Sequence, residues 1–272
     1  METEPAAAPE PASDFRELLE TIDAKRAELP DAGEKPVGNA FAATLERIAK
    51  MPVRAVEAAV PDSEVAERLR RSSLMGQLLK AAGGDRFRKC SFKDYKISLP
   101  LQQRVLDHCR EFAATFKERS EAGEQLLLYG PVGTGKDHLA FAVCWEVVMA
   151  GLVESVGWVN GQSWYGKIRD AMDDDGTSER QIVEGVSRPQ LLVVSDPQPP
   201  IGGLTPHQSA MLYRLVDARY CQRKTTIFTV NVKDDAEGDL LLGEAAWDRM
   251  NDKAWKLYCN WPSARKPARE VK

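Results

Sequence analysis

The sequence predicts a doubly wound α/β domain around a central parallel sheet of five strands, preceded by a small helical amino-terminal region. Three observations carry this. Continuous apolar runs recur between residues 125 and 261, and strands buried on both faces read that way rather than as an alternation. Helical spacing fills the gaps between them, and parallel strands need such crossovers. A glycine-rich turn, GPVGTGK, lies between the first run and its helix.

The elements follow in order. Residues 1–12 form an Ala/Pro/Glu tail with too little apolar surface to order itself. In DFRELLETIDAKRAEL, Ser13 or Asp14 can cap a helix whose Phe15, Leu18, Leu19 and Ile22 share a face. NAFAATLERIAKM predicts a second helix, stopped by Pro52, and DSEVAERLRRSSLMGQLLKAA a third that ends at Gly83-Gly84. These helices are too short for a strong core of their own, so they dock either on the main domain or on a partner; residues 13–85 are expected to form a partner-binding region and residues 86–272 the α/β domain. Leu101 to Phe116 predicts another helix after Pro100. Strands and helices then alternate: QLLLY (125–129) and 136–150; ESVGWVN (154–160) and a helix from about 162; QLLVVS (190–195) and 206–221; TTIFTVNV (225–232) and a helix near 239–250; then WKLYCNW (255–261).

The 272 residues are 43% hydrophobic, with no apolar run of eighteen or more and no basic-then-apolar leader. That pattern implies a cytoplasmic protein without a membrane span. Five cysteines are scattered singly, which fits reduced structural thiols better than disulfides or zinc ligands. The net charge of −4 argues against indiscriminate nucleic-acid binding. The charge is uneven, however: residues 1–67 hold 15 acidic and 7 basic side chains, residues 68–96 only 2 acidic and 9 basic. Within the basic stretch, RFRKCSFKDYK interleaves Phe87, Phe92 and Tyr95 with five cations, the composition of a single-stranded DNA groove.

LLLYGPVGTGKDHLA carries the chemistry. A strand, a glycine turn and a lysine opening a helix form a phosphate cradle, in which backbone amides and the helix dipole attract anions. Gly130, Pro131, Val132, Gly133, Thr134, Gly135, Lys136, Asp137 and His138 are the candidate contacts for nucleotide. Loops of this kind place a hydroxyl after the lysine to hold Mg²⁺; here Asp137 stands in that place. A second motif, LLVVSDPQPP, should lie on a neighbouring strand, where two acids commonly follow the apolar run; here Ser195 precedes Asp196. Asp196 is the candidate for polarising the attacking water. One motif lost a hydroxyl and gained a carboxylate, and the other did the reverse. The two changes suggest a reciprocal exchange of Mg²⁺ ligands, with Asp137, Ser195 and Asp196 around the metal and positions 137 and 195 facing it from adjacent strands. Without the metal, Asp137 would repel a phosphate about 4 Å away by about 4 kcal/mol. The alternative is a degenerate site that binds nucleotide and seldom cleaves it.

LYRLVDARYCQRKTTIFTVNV, LLGEAAWDRM and LYCNWPSAR, with the phosphate loop and strand order, make residues 88–266 resemble the DnaC/IstB helicase-loader type of AAA+ ATPase. The resemblance implies a three-layer P-loop AAA+ domain, ATP and Mg²⁺ as cofactors, and self-assembly. It assigns Asn231 as the sensor residue, Arg249 as a finger acting on the neighbouring copy's nucleotide, and Arg265 as a second sensor. It also implies that the amino-terminal region grips a replicative helicase or a transposase, with single-stranded DNA as a further ligand. Residues 231–234 read NVKD, not the order that guanine recognition uses, so adenine is favoured. Two functions stay open: an ATPase that assists replication or transposition, and a nucleotide-dependent adaptor with little turnover.

Overall fold

The structure, a computed structural model, describes residues 63–172 and 178–265. The expected helices near residues 15–28 and 39–51 lie outside the described residues.

Helix α1 (Ser63–Ala82) ends where Gly83 and Gly84 adopt positive φ, and a 3₁₀ turn follows over Gly84–Phe87. Then come α2 (Pro100–Ala114), α3 (Phe116–Ala122), β1 (Gln125–Tyr129), α4 (Lys136–Met149), β2 (Val156–Asn160) and α5 (Gly161–Met172). The chain continues through α6 (Glu179–Ser187), β3 (Leu191–Ser195), α7 (Pro206–Cys221), β4 (Thr226–Val230), α8 (Asp235–Leu242), α9 (Glu244–Asn251) and β5 (Ala254–Tyr258). The five strands are all parallel, in the order β2-β3-β4-β1-β5.

Side chains of successive strand residues point to opposite faces, and both faces are covered. On one, Leu127, Leu192, Val194, Phe228 and Val230 pack with residues of α5, α6, α7 and α9 around Trp164, Leu215 and Trp247. On the other, α4 lies against β1, β3 and β4 with α1 and α2 beside it. Leu126, Leu127 and Leu128 are fully buried, each worth about 1.5–3 kcal/mol of transfer free energy.

Three expectations shift. The compact unit that contains the sheet begins at residue 62, not 86, because α1 packs against β2 and α4. The helix expected near 239–250 is two helices, broken at Gly243 (φ 90°). Helix α6 was not anticipated; Ser178 and Gln181 close a capping box at its start. Cys109, Cys144 and Cys259 are buried, as structural thiols should be, while Cys221 is exposed. Among the described residues no helix is long and apolar enough to cross a membrane.

Candidate functional site

The carboxyl ends of β1, β3 and β4 meet at one mouth of the sheet, where ligands of open parallel sheets bind. Between β1 and α4 the chain turns through Gly130, Gly133 and Gly135, with φ of 132°, 81° and 89°. Only glycine takes these values without strain. At Gly133 a Cβ would also lie 2.1 Å from Ser263 Oγ, because residues 259–264 fold back on the loop. The Ala264 amide donates to the Gly133 carbonyl at 2.9 Å. The Thr134 carbonyl accepts from Trp261 Nε1 at 2.8 Å and from the Tyr95 hydroxyl at 3.1 Å. Tyr95 and Trp261 thus brace the loop from both ends of the domain. This role was not legible beforehand, since nothing in the sequence pairs positions so far apart.

Lys136 is 5% exposed, and its ammonium donates to the carbonyls of Gly130 (2.8 Å) and Pro131 (2.7 Å). Burial pushes this ammonium down from the usual lysine range, aided by Arg265, while Asp196 and Asp137 oppose the shift. The loop opens on a cavity of about 430 Å³ lined by Lys136, Asp137, Asp196, Asn231 and Arg265, with Arg86 and Cys90 at its side. That volume is ordinary for a small-molecule site.

Asp196, the residue after β3, takes a left-handed conformation, φ 46°, uncommon outside glycine but one that Asp and Asn tolerate. Asn231 Nδ2 donates to its Oδ1 at 2.7 Å. Burial raises the Asp196 carboxyl above the usual range, Asp137 raises it further, and Lys136 and Asn231 pull the other way.

Asp137 and Ser195 do meet, though in a different arrangement from the one expected. Strand β4 lies between β1 and β3, so positions 137 and 195 do not come from adjacent strands. The register pairs Ser195 with Thr229 on β4, and both hydroxyls donate to Asp137 Oδ1, at 3.0 and 2.7 Å. Ser195 is 1% exposed and does not line the cavity. It therefore sits behind Asp137 as a hydrogen-bond donor, not beside it as a second metal ligand. Thr229, unsuspected in the sequence, shares that task.

Two carboxylates, Asp137 and Asp196, remain as hard oxygen donors at the cavity. Among the described residues no group of three or more His, Cys, Asp or Glu side chains could hold a metal by itself. Mg²⁺ commonly takes one or two carboxylates and fills its shell with water and phosphate oxygens, so this donor set fits it. The His138 side chain faces away from the cavity: Nε2 is 2.8 Å from the Ser91 carbonyl and the ring meets Tyr95 edge-on. Thr134 is buried to 1% and donates its hydroxyl to the Pro131 carbonyl.

The other expected residues divide. Arg265 reaches the cavity. Arg249 does not; it lies on α9 and borders other cavities, formed with α7 and α8 residues. The aromatics of the basic segment are core residues: Phe87 stacks on Phe141 at 5.1 Å, and Phe87, Phe92 and Tyr95 are nearly buried. They offer no stacking platform for bases, which corrects the DNA groove expected there.

A phosphate cradle, a buried lysine and a paired Asp196–Asn231 at the mouth of a five-stranded parallel sheet define a AAA+ ATP-binding protein. The chain belongs to the family described as IstB-like ATP binding protein, whose model matches residues 43–271. It is similar to the replicative helicase loader DnaC of Escherichia coli K12, 29% identical over 180 residues, covering 65% of this chain and 69% of the relative. DnaC of Buchnera aphidicola subsp. Schizaphis graminum is 27% identical over 190 residues, covering 67% and 72%. The crystal structure of the DnaC helicase loader shares the fold, with a TM-score of 0.57 at 21% identity over 64% of this chain and 99% of that one. Domain III of the Thermotoga maritima replication initiation protein DnaA does so at 0.51 and 18%, over 63% and 66%.

Proposed function

We propose that this ATP-binding protein is a helicase loader that hydrolyses ATP, assembles with copies of itself and delivers a replicative helicase in the cytoplasm. The curated relatives are named for loading the replicative helicase, and the amino-terminal region is the candidate grip. Single-stranded DNA, if engaged, would be held through charge, given the burial of Phe87, Phe92 and Tyr95.

The observation that carries hydrolysis is the Asp196–Asn231 pair, 2.7 Å apart, facing the cavity of Lys136. An adaptor that only bound ATP would have no use for a half-buried carboxylate held by Asn231 opposite the lysine. Lys136 exchanges its two carbonyl partners for phosphate oxygens. Asp196 accepts a proton from the attacking water, with Asn231 fixing its orientation. Arg265, and Arg249 from a neighbouring copy, stabilise charge spreading over the transferred phosphoryl group. Asp137 and Asp196 would hold Mg²⁺, which neutralises the phosphates when bound.

The exchanged pair supplies the test. Steady-state ATPase is measured against Mg²⁺ for Asp137→Thr, Ser195→Asp and the double variant. Each single change removes the donor–acceptor match, and the double change restores it in reverse. Partial recovery in the double variant supports the coupled site; additive losses would contradict it.

A further inference from the structure

Arg249 is held in its own chain by three residues of one helix. Its Nε donates to Asp217 Oδ1 at 2.8 Å. Its guanidinium lies over the Tyr213 ring, 4.7 Å from the centroid, and 5.9 Å from that of Tyr220. Tyr213, Asp217 and Tyr220 follow one another at i, i+4 and i+7 along α7, so they share the face on which α9 packs. This grip uses the Nε edge and the π face of the guanidinium. The outer edge keeps only a long contact, Nη1 to the Ala245 carbonyl at 3.4 Å, and among the described residues Nη2 has no acceptor. That outer pair of N–H groups is the fork that recognises a phosphate or carboxylate.

Stability explains the arrangement poorly. The Arg249 and Asp217 side chains keep 27% and 35% of their exposure, and ion pairs so open to water contribute little to folding. Holding a long side chain in one conformation with its fork outward is a positioning function, because a free arginine loses rotamer freedom when it engages its target.

The geometry points to Asp217 and Tyr213 as positioning residues for Arg249, presenting its fork to the nucleotide of a second copy of this chain. This rests on the trans-acting role of Arg249 given above. A displacement of about 1 Å can lower a rate by about 100-fold, so Asp217→Ala and Tyr213→Ala should each lower kcat by about 10- to 100-fold while the KM for ATP holds. Asp217→Asn keeps an acceptor for Nε and should stay within about threefold of wild type.

The test combines turnover with subunit mixing in the full-length chain. Lys136→Ala subunits cannot turn over their own nucleotide but carry an intact Arg249. Adding them to Asp217→Ala subunits should restore ATPase, since the defect lies in what the subunit gives its neighbour. Asp217→Ala in an Arg249→Ala background should cost nothing more. If Arg249→Ala lowers turnover while Asp217→Ala and Tyr213→Ala match wild type, or if mixing restores nothing to Asp217→Ala, positioning by α7 is refuted. If Arg249→Ala itself leaves turnover unchanged, or the wild type has none, the trans-acting role beneath it is refuted instead. Tyr213→Phe keeps the ring and must behave as wild type; a loss there would count against the ring's contact with the guanidinium.

Discussion

Two buried cations sit at opposite ends of the sheet, and their hydrogen bonds differ in a way that separates structure from function. At the amino ends of β3 and β4, Arg219 is 1% exposed. Its five N–H groups donate to the Thr226 hydroxyl and to the carbonyls of Ser187, Pro189, Gln190 and Thr225, at 2.6–3.3 Å. No donor is left over, and burial pushes the guanidinium down to about 9. At the carboxyl ends, Lys136 uses two carbonyls for three donors, beside an open cavity. A saturated cation staples segments together. A cation with a donor to spare, held by carbonyls it can give up, is ready for an incoming anion.

The comparison breaks most plainly at Lys136. Lys136→Ala should weaken ATP binding by at least about 100-fold by calorimetry, as the loss of a charge-assisted phosphate contact implies, with Tm unchanged or raised because a desolvated charge is removed. Arg219→Met should do the opposite. It strands carbonyls around a buried site and should cost about 3–5 kcal/mol in denaturant unfolding, with ATP affinity of the folded protein intact.

A smaller effect is expected at Thr229. Thr229→Val keeps shape and removes one of the two hydroxyls on Asp137; about 1.5 kcal/mol of stability should be lost, as for a hydrogen bond to a charged group, and the Mg²⁺ requirement for turnover should rise. The smallest concerns Asp196, whose folded carboxyl titrates above its unfolded value. Between those two values the folded chain holds a proton that the unfolded chain has released. Stability therefore falls as pH rises through that window. Asp196→Asn, which tolerates the same left-handed backbone, should flatten this slope and raise stability by about 0.5–1 kcal/mol while abolishing hydrolysis. Denaturant titrations across the acid range read both.

How much of this was legible depended on the range of the interaction. The strands and the phosphate loop were, because apolar runs and the GPVGTGK spacing are local. Helix α6 had a local signal in S-E-R-Q followed by Ile182, Val183 and Val186, but one short enough to pass as loop. The spatial arrangement of the strands across the sheet was not legible. It is a long-range property, and it put β4 and Thr229 between the two altered motif positions. Nor could composition tell which way Phe87, Phe92 and Tyr95 face. Aromatics among cations suit a DNA groove or a core equally well, and here Phe87 and Tyr95 found Phe141 and the Thr134 carbonyl. Arg249 was singled out, but Asp217, which holds it, lies on another helix.

The central claim is that Lys136 trades its carbonyl partners for a nucleotide's phosphates with Asp137 managing the metal. Calorimetric titration of ATP into the full-length chain, with and without Mg²⁺, tests it most directly. Saturable binding that strengthens markedly with Mg²⁺ and disappears in Lys136→Ala is the predicted result. Absence of binding at millimolar ATP with Mg²⁺ present, or equal affinity in the Lys136→Ala variant, would contradict it.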